Sequence, residues 1–168
     1  MLGRAMRTPA QTIDPRDVGL RGLALQQPVF AADAHEKADR ALEDMADHML
    51  DWLRADIESL QLARTAAVGD GWDAASMETL HDVAHNLKGL GATYGFPLAT
   101  QIAGSLCDLI ENDAGKACVR ADPKLALAHV DALRAVVRDD IRDEGHPVGR
   151  ALLLELRRQV AALGVAPR

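Results

Sequence analysis

The run Leu80-His81-Asp82-Val83-Ala84-His85-Asn86-Leu87-Lys88-Gly89-Leu90-Gly91-Ala92-Thr93-Tyr94-Gly95 decides how this chain folds. Its apolar residues recur with the period of an amphipathic helix. With Leu87 at the centre of the buried stripe and a step of about 100° per residue, Leu80, Val83, Ala84, Leu90, Gly91 and Tyr94 all fall within roughly 60° of it. His85 then points almost directly away from the core. Gly89 and Ala92 flank it, and His81 and Lys88 sit at the edges of the same polar face. Residues three and four apart are neighbours on a helix, so a phosphoryl group on the His85 imidazole would meet the Lys88 cation.

Glycine inside a helix costs about 1 kcal/mol relative to alanine, so two within one turn call for a reason. Gly91 falls on the buried side, where the lack of a side chain lets a neighbouring helix pack close. Gly89 falls on the exposed side, where core packing does not account for it. Clearing space beside His85 for another protein does.

Further helices are expected on either side. Asp33, with Glu36 three residues on, is a candidate N-cap for a long amphipathic helix carrying Leu42, Met45, Met49, Trp52, Leu53, Ile57 and Leu60. The Gly69-Asp70-Gly71 turn breaks it, and Asp73 caps the second helix, which Gly95 ends near Tyr94. Pro97 opens a third, with Leu98, Ile102, Leu106, Leu109 and Ile110, fading between Asn112 and Gly115. Asp122-Pro123 starts a fourth, through Val130, Leu133 and Val137 to Ile141, with Gly145 as its stop. A fifth runs from about Pro147 to Leu163 and closes at Gly164. The expectation is an all-α, up-and-down four-helix bundle over residues 33–168 with an additional C-terminal helix, its consecutive helices antiparallel. Residues 1–32, with Pro9, Pro15 and Pro28, read as a poorly ordered N-terminal tail.

Composition agrees with this class. Of 168 residues, 48% are hydrophobic but only 3% aromatic, so the core must be built from Ala, Leu, Val and Met, which favour helix. The net charge of −6 and the lack of any Lys/Arg cluster argue against nucleic acid as a partner. No stretch of 18 apolar residues suits a membrane. Two cysteines, Cys107 and Cys118, without a secretory signal, fit a reducing compartment, and the expected location is the cytoplasm.

His85, Leu87, Lys88, Gly89 and Gly95 match the pattern H-x-[LI]-K-G-x5-G, and here the chain resembles the histidine-containing phosphotransfer (HPt) domains of multistep two-component signalling. The resemblance implies an HPt-like bundle in which His85 is the phosphoacceptor, Lys88 stabilises the phosphoryl charge and Gly89 gives a partner access. It implies a phosphocarrier, not an enzyme with an ATP-binding domain. The implied partners are receiver domains of response regulators or of a hybrid histidine kinase. It implies a monomer with no cofactor of its own, the receiver contributing Mg²⁺. Several members carry a polar residue about 22 positions after the histidine, to hydrogen-bond near the imidazole. Here that position is Cys107, a poor donor and acceptor.

Two other readings compete with this one. The dimerisation and phosphotransfer helices of sensor kinases also expose a phosphorylated histidine, but there an acid usually follows it and a proline comes a few residues on. Here those residues are Asn86 and Leu90. His81-Asp82-Val83-Ala84-His85 resembles the H-E-x-x-H zinc motif, with both histidines on one helical face. Spacing supplies it no convincing third ligand, although His35, His48 and His129 converge in principle within a bundle.

Overall fold

A computed structural model gives the fold of residues 33–165, side chains at 46 and 47 excepted; the expected N-terminal tail, residues 1–32, lies outside these described residues. Six helices follow one another: α1 (Ala34–Gly69), α2 (Ala74–Leu90), α3 (Pro97–Glu111), α4 (Asp113–Ala121), α5 (Lys124–Arg138) and α6 (Pro147–Ala162). The chain divides after Ala41, and the unit that starts at Leu42 holds the helical bundle. Among the described residues there is no strand.

α3 is the centre of the bundle. Leu98, Ala99, Ile102, Ala103, Ser105, Leu106, Cys107, Leu109 and Ile110 are all buried along it, so it is apolar on nearly every side and must be enclosed by other helices. α2, α4, α5 and α6 all pack against it. α2 lies antiparallel to it, with His81 opposite Glu111 and Gly91 opposite Thr100. α6 runs parallel to it: Gly149 sits on Leu98 at one end, while Val160 and Ala161 line a cleft with Asp108 at the other. α1 contributes Leu53, Leu60, Ala63 and Ala67 to the core, and its Arg64 reaches Asp131 of α5 at 2.5 Å.

Three expectations are corrected. The bundle has a helix more than expected, because the third does not simply fade after Asn112. The Asn112 side chain accepts from the Ala114 amide at 2.9 Å and caps α4, and Gly115 lies in that helix against the Leu109 carbonyl, where any Cβ would overlap it. A glycine that reads as a break is a close contact between helices. The fourth expected helix, α5, stops at Arg138 rather than Ile141, with Asp140 in the left-handed region (φ 49°) turning the chain before Gly145 is reached. Finally, Leu42, Met45 and Trp52 are exposed despite lying in the apolar series of the first helix. Leu42 and Met45 precede Leu53, the first buried residue of α1 among those described, whereas Trp52 lies about 100° round the helix from Leu53 and so off its buried stripe.

One polar side chain sits in the core. His129 has no exposed surface, and its Nδ1–H donates to the Leu125 carbonyl at 2.7 Å. Nε2 must then accept, from the Ser105 hydroxyl at 3.0 Å, which fixes the neutral tautomer. Burial pulls its pKa from 6.5 down to about 4, and the bond to Leu125 opposes this only in part. The unfolded chain therefore takes up a proton here before the folded one does as pH falls. The contribution to stability is present above pH 6.5 and is lost progressively between about 6.5 and 4. That interval, at about 1.36 kcal/mol per pH unit, is on the order of 3 kcal/mol. Urea denaturation at about pH 7 and about pH 4.5 should show the loss, and His129→Gln should flatten the difference. An unchanged pH dependence in that variant would show that the buried imidazole is not the source.

Candidate functional site

α2 begins where the Asp73 carboxylate accepts from the Ser76 amide at 2.8 Å, as the sequence indicates. It ends at Leu90, four residues short of the expected Tyr94, for an identifiable reason. The Ala92 amide donates to the Thr100 hydroxyl of α3 at 2.7 Å and is drawn out of the helical ladder. The chain then continues as turns to Gly95, whose φ of 85° favours glycine. Gly91 makes this approach possible: a Cβ there would stand 2.8 Å from the Thr100 amide nitrogen and 2.9 Å from its hydroxyl. Around Gly89, by contrast, a Cβ would find nothing within 4 Å.

Contact with α3 rotates the buried stripe of α2 from its expected centre. Leu80, Ala84, Leu87 and Gly91 are buried, whereas Val83 and Tyr94 are only half-buried and Leu90 is 40% exposed. Leu90 is thus a correction to the expected stripe. The shift carries the opposite edge toward the core, so that His81 and Lys88 are half-buried. His85 remains exposed, but it stands at the rim of α3 rather than directly away from the core. Its ring lies 5.8 Å from that of His81, centroid to centroid, and no hydrogen bond holds it among the described residues.

Beneath this rim the antiparallel register sets residues of α2 over residues of α3. Nε2–H of His81 donates to the Glu111 carboxylate at 2.6 Å. The stem of Lys88 passes over Gly104, where a Cβ would stand 3.8 Å from its Cδ and Cε. Cys107 comes up between them, buried, and ligating atoms of His81, His85 and Cys107 all lie within 4.8 Å of one another. Burial pushes the Cys107 thiol up to about 11; the Lys88 ammonium draws it back while Glu111 and Asp108 add to the rise. The zinc-like pair His81/His85 therefore does meet a third group, though not an expected one. His129 is enclosed in the core, and His48 is turned to the Asp44 carbonyl of its own helix at 2.5 Å. The sequence held a signal for these contacts: once His85 is set opposite position 107, antiparallel pairing places 81 opposite 111 and 88 opposite 104.

The Hpt domain family model matches residues 44–163. The chain belongs to the Hpt domain family, the histidine phosphotransfer modules of two-component signalling. Such domains are phosphocarriers that interact with receiver domains. Neither the search of curated proteins nor that of solved structures found a match. No helix among the described residues is long and apolar enough to cross a membrane.

The two glycines of this turn should respond in opposite ways to the same added methyl. Gly91→Ala should lower unfolding free energy by about 1–3 kcal/mol, because the contacts it tightens are backbone that cannot step aside. Gly89→Ala should raise it by up to about 1 kcal/mol, the helix-propensity difference alone. Chemical denaturation of the two variants checks both signs.

Proposed function

We propose that this protein relays a phosphoryl group between aspartates of receiver domains, with His85 as the phosphoacceptor. The observation that carries the reading is an exposed imidazole at the histidine position of the family's motif, with open space at Gly89 and the half-buried Lys88 one turn away. A lone pair on one ring nitrogen of His85 attacks the phosphorus of a receiver's aspartyl phosphate. The P–N bond forms as the P–O bond to the aspartate breaks, its electrons returning to the carboxylate, and the proton on the other ring nitrogen passes to solvent. A carboxylate of the next receiver then attacks phosphorus, the electrons of the P–N bond return to the ring, and the other ring nitrogen takes a proton back from solvent, so that neutral His85 is regenerated.

Phosphoryl transfer depends mostly on positioning and charge stabilisation. The receiver contributes Mg²⁺, and this chain contributes the nucleophile and a docking surface. The Lys88 stem lies over Gly104, and its ammonium is close enough to pull down the pKa of the Cys107 thiol, one helical turn from His85. Its contact with phosphoryl oxygens is worth a few kcal/mol at most at an effective surface dielectric, so it tunes the reaction rather than enabling it. Leu90, exposed on the last turn of α2, supplies apolar surface beside the clearing at Gly89. A receiver docks on this patch, and the bundle formed within one chain acts as a monomer.

His85→Gln should abolish label uptake from a phosphorylated receiver and leave circular dichroism unchanged; undiminished labelling would sink the assignment. Lys88→Ala should slow transfer or shorten the life of the phosphorylated state without eliminating label. Gly89→Gln should hold or raise thermal stability yet weaken transfer, since its side chain stands where the receiver approaches. A Gly89→Gln variant that transfers normally would show that the clearing serves no access.

A further inference from the structure

We propose that His81, His85 and Cys107 form a binding site for a borderline-soft transition-metal ion, Zn²⁺ being the best match, and that the bound ion switches off phosphotransfer by occupying the phosphoacceptor. The switching half rests on the relay reading above; the binding half does not.

The site is built from two i, i+4 pairs on facing antiparallel helices: His81 and His85 on α2, Cys107 and Glu111 on α3. Imidazole nitrogen and thiolate sulfur are both ligands of Zn²⁺, and a site with three protein ligands leaves its fourth position to water. Ligating atoms within 4.8 Å of one another need to close to about 3.5 Å, the edge of a tetrahedron with metal bonds of 2.0–2.3 Å. His85 is exposed and unrestrained, so its rotation supplies most of that closure. Glu111 holds His81 through Nε2 at 2.6 Å, which leaves Nδ1, now 3.5 Å from the Asp82 carboxylate, as the atom that takes the metal; a carboxylate bonded to the other nitrogen of a ligand imidazole fixes the ring and raises its basicity. The metal replaces the Cys107 thiol proton, which leaves to solvent. The Lys88 ammonium opposes a cation here, and the Glu111 carboxylate offsets it.

Inhibition follows from the chemistry of imidazole. A neutral ring carries one in-plane lone pair, and its other nitrogen bears the proton. Once that lone pair binds the metal, whichever nitrogen carries it, no nucleophile remains for phosphorus.

Titration of the full chain with Co²⁺, a spectroscopic stand-in for Zn²⁺, should produce one equivalent of complex with a thiolate-to-cobalt charge-transfer band. Cys107→Ala should remove that band, and His81→Gln should weaken affinity for Co²⁺ and Zn²⁺ by more than about tenfold. Both variants keep His85. Labelling from a phosphorylated receiver in Mg²⁺ should fall on adding one equivalent of Zn²⁺, recover on adding a chelator, and resist Zn²⁺ in both variants. A cobalt complex without the thiolate band, or one unchanged by either substitution, overturns the site. Equal Zn²⁺ inhibition of wild type and variants places the metal on the receiver and overturns the switch. The cobalt band needs no receiver, so failure of the relay itself would be seen separately, as absent labelling in Mg²⁺ alone.

Discussion

The close approach of α2 to α3 at Gly91 is the constraint on which the rest of the site depends. Thr100 can take the Ala92 amide only because no side chain stands on Gly91, and that bond ends α2 and fixes its rotation. The rotation half-buries Lys88 and leaves Leu90 in solvent, while Ala84 stays buried. His85 thereby becomes a residue of a two-helix surface. Its neighbours are set by the register of α3 as much as by its own sequence position.

α3 provides the rigid side of this arrangement because it is enclosed by four helices. A surface that must receive a partner, hold a phosphoryl group and release it benefits from a floor that does not move. The Ser105–His129 pair shows how completely the far side is committed. A neutral imidazole from α5 has both nitrogens satisfied in the core, one of them by Ser105 of the same α3 that carries Cys107. Of the histidines in the bundle, the one on α5 serves packing and those on α2 remain available for chemistry.

Much of this was legible in the sequence, and the exceptions have physical causes. The all-helical class, the Asp73 cap, the exposed His85 and the opposed environments of Gly89 and Gly91 follow from a 3.6-residue period and two glycines. Leu90 could not be placed, because a helical wheel centres the stripe on apolar residues, whereas the true centre is set by which neighbour packs most tightly. The helix α4 was hidden because a glycine pressed against the Leu109 carbonyl looks, in one dimension, like a terminator. Leu42 and Met45 carry the period of a buried face, but periodicity does not report where burial along a long helix begins; Trp52, next to buried Leu53, is turned off the stripe by a single step of the helix. His81 and His85 were visible as a pair. Cys107 joined them only once the antiparallel register was known, although its separation of 22 residues from His85 was countable from the start.

The position of Cys107 also bears on how tightly the reactive ring is held. A side chain that hydrogen-bonds strongly at this point would fix the His85 imidazole; a buried thiol, mostly protonated with its pKa near 11, is a weak partner and leaves the ring free to turn. Rotational freedom costs order each time the ring must be aligned with phosphorus. The same freedom lets the imidazole swing inward to a metal that a fixed ring would not meet. Weak orientation for transfer and access to a thiolate-containing metal site are two consequences of one residue.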